Sequence, residues 1–115
     1  MPSLDRPVYL RLRDEIVAMI LDGQIGEGAA LPSVRAFAAE RGANPLTVAK
    51  AYQSFQEDGL VTVRRGVGMF VAPGAAARLK ASARAEFLSL EWPEISARIR
   101  RLGLELEELI DRADA

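Results

Sequence analysis

The chain has 115 residues and a formal net charge of −1, with 50% of its residues hydrophobic and 27% charged. That composition suits one small folded domain, or one domain with an appendage, and not a disordered segment. It contains no cysteine and no histidine, which excludes disulfides, thiolate chemistry, cysteine-ligated metals and the commonest general base and zinc ligand. No basic segment followed by an apolar run opens the chain, and no window approaches the ~20 apolar residues of a membrane span. A cytoplasmic protein without metal or cofactor is the expectation.

Pro7 fits the first turn of a helix, where its missing N–H costs nothing. Tyr9, Leu12, Ile16, Met19 and Ile20 then follow a helical period that Gly23 ends. Gly26 and Gly28 make a turn before Leu31-Pro32. Ser33 is a good N-cap for a second helix over about 34–41, ended by Gly42. Asn44-Pro45 pairs a cap with a first-turn proline and opens a third helix, which runs to about Asp58 and stops at Gly59. Leu60-Val61-Thr62-Val63 and Met69-Phe70-Val71 are β-type runs, joined as a hairpin by Arg64-Arg65-Gly66-Val67-Gly68. Pro73-Gly74 breaks the pattern and marks a boundary between residues 1–74 and 75–115.

Beyond Ala75, alanines with Leu79, Ala83 and Phe87 suggest another helix, interrupted by Trp92-Pro93. Leu88, Trp92, Ile95, Ile99, Leu102, Leu106 and Leu109 alternate spacings of four and three, the pattern of a partner-facing seam. Gly103 divides that seam and leaves a last short helix over about 105–112. These helices are too few to enclose a core alone. They either fold back on the first domain or pack against the same helices of a second copy. The second arrangement is the expectation, because an amphipathic tail after a proline-glycine hinge has little surface to return to. Phe87 joins the seam residues as a candidate dimerisation contact.

The fold class expected is mainly α with a small β-wing: a winged helix-turn-helix followed by a short helical dimerisation tail. Such a module places one helix in a DNA major groove. The net charge withholds the usual basic footprint of a nucleic-acid binder, so the placement of the cations has to carry the reading. Arg35, Arg41, Lys50, Arg64 and Arg65 lie between Ser33 and Gly66, whereas Glu105, Glu107, Glu108, Asp111 and Asp114 gather at the far end.

On the third helix Val48, Tyr52 and Phe55 define a buried face. Leu46, Lys50, Gln53 and Glu57 project opposite it, with Thr47 and Ser54 on the flank. Its N-terminal half therefore offers Asn44, Leu46, Thr47 and Lys50 at the end from which a recognition helix reads bases. A solvated helix face is the plainer alternative, although Leu46 sits where a thymine methyl would be met. Arg35 lies in the first turn of the second helix, against the macrodipole, and Ala38 and Ala39 occupy the positions from which an acid would neutralise it. A docked phosphate or guanine edge gives that cation a purpose; an unpaired surface arginine is the alternative. Arg64-Arg65-Gly66 suits a wing that reaches a minor groove or a phosphate backbone, and equally an ordinary hairpin loop. Trp92 suits core or interface packing better than a ligand role.

With LPSVRAFA followed by NPLTVAKAY, then EDGL and RRGVGMFV, the chain resembles the GntR family of bacterial transcription regulators from Pro7 through Val71. The short tail with RRLGLELEELI is similar to that of the YtrA-like subfamily, whose members carry only a small helical dimerisation region after the wing. The resemblance implies DNA contacts by Ser33, Arg35, Asn44, Thr47, Lys50, Arg64, Arg65 and Gly66, with Leu46 added from the exposed face. Leu46 stands where the family often has a polar residue, Ala43 where it has valine, and Met69 where threonine is frequent. It implies a non-enzymatic homodimeric repressor on an inverted-repeat operator of double-stranded DNA. A winged-helix module for protein–protein contact is the alternative. An effector ligand, if the chain takes one, would lie between the tail helices around Trp92.

Overall fold

The computed structural model describes residues 6–113, and its first helix, α1 (Val8–Leu21), turns Leu12, Ile16 and Ile20 inward as one stripe. Pro7 stands one position earlier than expected. It is the N-cap, extended at φ −52° and ψ 144°, and its carbonyl accepts from the N–H groups of Leu10 and Arg11 at 3.0 and 3.2 Å. Helix α2 (Val34–Arg41) begins where the Ser33 hydroxyl accepts from the Ala36 N–H at 3.1 Å. Helix α3 (Pro45–Glu57) begins where the Asn44 side-chain oxygen accepts from the Leu46 N–H at 2.8 Å. Each cap satisfies a donor that a helix start otherwise leaves orphaned. Gly42 ends α2 in the left-handed region at φ 61° with open space around it, so the position needs glycine for its backbone and not for room.

The three helices close on a core whose largest fully buried side chains are Ile16, Phe37, Val48, Phe55 and Val71. Tyr52 of α3 lies against Phe37 with ring centroids 6.3 Å apart, and its hydroxyl donates to the Pro32 carbonyl at 2.8 Å. Burial, reinforced by the Glu40 charge, pushes the Tyr52 phenol up to about 12. Arg13 of α1 ties onto α3 by donating to Ser54 Oγ at 2.7 Å and Asp58 Oδ2 at 2.8 Å, with its guanidinium 4.6 Å from the centre of the Phe55 ring.

Strands β1 (Val61–Arg64) and β2 (Gly68–Val71) pair antiparallel, with Val61 opposite Val71 and Arg64 opposite Gly68. The expected loop is thereby shortened to residues 65–67, closed by the Val67 N–H on the Arg64 carbonyl at 2.9 Å. Leu60 drops out of the strand because its N–H bonds the Phe55 carbonyl at 2.9 Å and finishes α3. The segment ahead of α2 occupies the other edge of β2. The Leu31 N–H bonds the Met69 carbonyl and the Val71 N–H bonds the Ala29 carbonyl, both at 2.9 Å, around a bridge between Ala30 and Phe70. Both edges of β2 are therefore satisfied.

Helix α4 (Ala75–Glu86) moves the domain boundary. Ala75 and Leu79 are buried in the first core, and Arg78 donates to the Asp58 and Gly59 carbonyls at 2.9 and 3.3 Å, capping α3 from outside. Glu27 accepts from the Gly74 N–H at 2.9 Å. The first compact unit accordingly runs through Lys80 and the second starts at Ala81, later than the Gly74 boundary that the proline-glycine pair suggested.

Within the second unit the Trp92-Pro93 pair does not interrupt the helix. A π-helical turn over Phe87–Glu91 leads directly into α5 (Trp92–Arg101), with the Trp92 N–H bonded to the Phe87 carbonyl five residues back. Pro93 lacks an N–H and its ring crowds the carbonyl four residues earlier, and a widened turn absorbs both defects. Gly103 at φ 67° divides α5 from α6 (Leu106–Ala113), as its position suggested. Asp114, grouped above with the acidic end, lies outside the described residues. From Ala81 onward no described residue is buried. Among the described residues no helix is long and apolar enough to cross a membrane.

Candidate nucleic-acid interface

Helix α3 buries Val48, Ala51, Tyr52 and Phe55. It exposes Leu46, Lys50, Gln53 and Glu57 and leaves Thr47 and Ser54 half-buried, as its periodicity requires. Leu46 is 79% exposed, the most open large apolar side chain named on this helix. The Lys50 ammonium lies 4.3 Å from the centre of the Tyr9 ring on α1. Asn44 and Ser33 are exposed. Their side-chain oxygens are engaged by their own helices, which leaves the Asn44 amide N–H groups and the Ser33 hydroxyl proton uncommitted as donors.

The cations expected at the site divide into three kinds. Arg35, exposed in the first turn of α2, makes no hydrogen bond or ion pair among the described residues, and the same holds for Arg65 in the wing loop. Lys50 and Arg64 rest on aromatic rings, with the Arg64 guanidinium 4.5 Å from the centre of Phe70. Arg41, counted among the segment's cations, belongs to the scaffold instead. It pairs with Glu15 at 3.3 Å and lies 5.1 Å from the centre of the Phe37 ring.

Gly66 holds φ 77° between Arg65 and Val67, a left-handed position in the tight turn that carries the wing tip. Ser33 and Val34 share one cleft of about 250 Å³ with Val67, Gly68 and Met69, with Tyr52 also in its wall. The start of α2, the middle of α3 and the wing therefore meet. Two residues that sequence reasoning did not single out, Tyr9 and Phe70, support the outward cations. The spacing from Tyr9 to Lys50 carries no local signal, whereas Phe70 is diagonal to Arg64 in the hairpin register and was recoverable from it.

Of the expected dimerisation residues, Phe87, Leu88, Leu102 and Leu106 are exposed, while Trp92, Ile95, Ile99 and Leu109 are half-buried. The Trp92 ring packs against Phe87 with centroids 6.3 Å apart. Leu90, Leu104 and Ile110 are exposed as well and lie off the four-three spacing. A groove of about 170 Å³ runs along Ile95, Arg98, Ile99, Leu102 and Leu104, and Trp92 is not part of its wall. Among the described residues no group of acids is arranged to hold a metal ion.

Two capped helices, the second exposing its N-terminal half beside a two-stranded wing, define a winged helix-turn-helix of the DNA-binding class. Residues 8–71 match the profile of the gntR family of bacterial regulatory proteins. The chain is 32% identical to the HTH-type transcriptional regulator YhcF of Bacillus subtilis over 92% of its own length and 86% of that protein. It is 29% identical to the HTH-type transcriptional repressor YtrA of the same organism, over 94% and 82%. A transcriptional regulator from Oenococcus oeni shares its fold with a TM-score of 0.70 and 29% identity, over 99% of this chain and 93% of that one. The DNA-binding domain of AraR, solved with operator ORX1, matches with a TM-score of 0.57 and 26% identity over 63% of this chain and 87% of that one. The chain belongs to the GntR family, in its YtrA-like subfamily. It is a DNA-binding transcription regulator and not an enzyme, and the protein–protein adaptor alternative falls away.

Proposed function

We propose that the chain acts in the cytoplasm as a repressor, bound as a homodimer to an inverted-repeat operator. The observation that carries the reading is the N-terminal end of α3, where Leu46, Lys50 and the N-cap Asn44 are exposed, Thr47 is half-buried on the flank, and Val48, Ala51, Tyr52 and Phe55 are buried on the opposite face. In this reading α3 enters the major groove. Lys50 and Thr47 meet base edges or phosphate, and Leu46 makes an apolar contact of the kind a thymine methyl provides. Arg35 and Ser33 at the start of α2, with Arg64, Arg65 and Gly66 in the wing, hold the backbone on either side. YtrA is named a repressor and AraR was solved on an operator, which supports the same role here.

The homodimer rests on the second unit. Its helices expose Phe87, Leu88, Leu102 and Leu106 and bury nothing, and short amphipathic helices without a covered face are not stable alone. Trp92, Ile95, Ile99 and Leu109 complete the surface that a second copy would cover. A two-fold dimer binds half-sites ~34–36 Å apart, one helical turn. Selection of bound duplexes from a random pool, with sedimentation of the complex, tests this. The reading expects two inverted half-sites and two chains per duplex; a single half-site bound by one chain overturns it. Reduced transcription from a promoter carrying the selected site is expected of a repressor, and increased transcription would refute that role.

A further inference from the structure

Four cation–aromatic contacts occur among the described residues, and they fall into two kinds. Arg13 over Phe55 and Arg41 over Phe37 are each also paired with an acid, Asp58 and Glu15 respectively. Their charges are spent within the scaffold. Lys50 over Tyr9 and Arg64 over Phe70 have no acid partner among the described residues. Both cations are exposed, whereas both rings are half-buried; Tyr9 packs against the core, and Phe70 is held in the paired strand β2. A carboxylate in the position of either ring would neutralise the cation. An aromatic face holds a cation without cancelling its charge.

We propose that Tyr9 and Phe70 are positioning residues, which hold the Lys50 ammonium and the Arg64 guanidinium in place for DNA while leaving their charge available to it. This rests on the reading that Lys50 and Arg64 meet DNA. Long cationic side chains lose rotamer freedom when a complex orders them, and a side chain already ordered in the free protein loses less. The two platforms come from different parts of the fold. Tyr9 reaches Lys50 from α1, and Phe70 sits diagonal to Arg64 across the wing hairpin. Among the described residues Arg35 and Arg65 have no such ring, so two of these four cations are pre-set and two are free.

The distinguishing measurement is binding to a mixed-sequence duplex of about three helical turns, followed by fluorescence anisotropy over a salt series. Wild type, Tyr9→Leu, Tyr9→Phe, Lys50→Ala and the Tyr9→Leu/Lys50→Ala double variant are compared, with thermal unfolding of each. Lys50→Ala lowers the slope of log affinity against log salt, because a cation is gone. Tyr9→Leu weakens binding about two- to tenfold per protomer with the slope unchanged, because the cation remains but must be ordered on binding. Tyr9→Phe, which keeps the ring face, restores wild-type affinity, and Tyr9→Leu adds nothing once Lys50 is absent. The Phe70→Leu and Arg64→Ala pair should repeat the pattern. Binding by Tyr9→Leu that equals or exceeds wild type overturns the proposal, as does a Tyr9→Leu loss that persists undiminished in the Lys50→Ala background. A wild-type chain without salt-dependent duplex binding, or a Lys50→Ala slope equal to that of wild type, overturns the DNA reading beneath it.

Discussion

Replacing Arg35 with alanine should weaken DNA binding without lowering stability. Arg35 makes no hydrogen bond or ion pair among the described residues and sits in the first turn of α2, where a positive charge opposes the helix dipole. Its removal should leave the urea midpoint unchanged or raise stability by a few tenths of a kcal/mol. Binding responds differently. Arg35, Lys50, Arg64 and Arg65 give four outward cations per protomer and eight for a dimer. If all reach phosphate, the slope of log affinity against log salt is about −7, at ~0.9 for each phosphate neutralised. Arg35→Ala then removes two contacts and brings the slope to about −5. If Arg35 instead grips a guanine edge, affinity falls by ~1–3 kcal/mol per half-site and preference relaxes at one base pair, with a smaller change in slope. Anisotropy titrations on an operator and a scrambled duplex, across salt, separate these outcomes. Unchanged affinity and slope together, or a loss of more than about 1 kcal/mol in folding stability, would refute the argument.

Arg41→Ala is the mirror case: losing the half-exposed Glu15 pair and the Phe37 contact should cost about 0.5–1 kcal/mol in urea unfolding and leave the salt slope as it was. The Tyr52 phenol is held up to about 12, against an ordinary value near 10. Its contribution is therefore complete below pH 10 and is lost as pH rises from 10 to 12, because the unfolded chain gives up the proton first. Tyr52→Phe should abolish that alkaline decline and cost about 1 kcal/mol at neutral pH, since the Pro32 carbonyl loses its donor. Ile99→Glu places a charge in the groove of the second unit. Sedimentation should then show single chains and operator affinity should fall by about a hundredfold, as paired half-site binding is lost. The unfolding midpoint of the first unit should be unchanged, because Ile99 lies outside it.

Much of the geometry of the candidate interface is legible in the sequence. Val48, Tyr52 and Phe55 recur at helical spacing, so the opposite face with Leu46 and Lys50 followed from geometry alone. Ser33, Gly42, Asn44 and Pro45 are residues whose local chemistry starts or stops a helix, and each does so within a residue of its expected place. The tail was harder. Trp92-Pro93 looks like a break because proline cannot continue an α-helical hydrogen-bond ladder, yet a π-helical turn accommodates it. Proline-glycine at Pro73-Gly74 looks like a domain boundary, but it only starts α4, whose Ala75 and Leu79 pack into the first core.

What the sequence determined by itself is what acts over one or two turns of chain: the caps, the buried stripe of α3 and the hairpin. Tertiary structure alone decided which cations remain available. Arg41 and Lys50 look alike as exposed helical cations in the same segment. One is neutralised by Glu15 from α1 and the other rests on Tyr9 from that same helix. Glu15 lies 26 residues from Arg41 and Tyr9 lies 41 residues from Lys50 along the chain, and no local periodicity encodes either pairing. Packing of α1 against α3 also places Arg13 on Ser54 and Asp58, and packing of α4 brings Arg78 to the end of α3. The fold sorts arginines and lysines into those that bind it together and those that it presents, because whether an acid or a ring lies beside each one depends on contacts between distant elements.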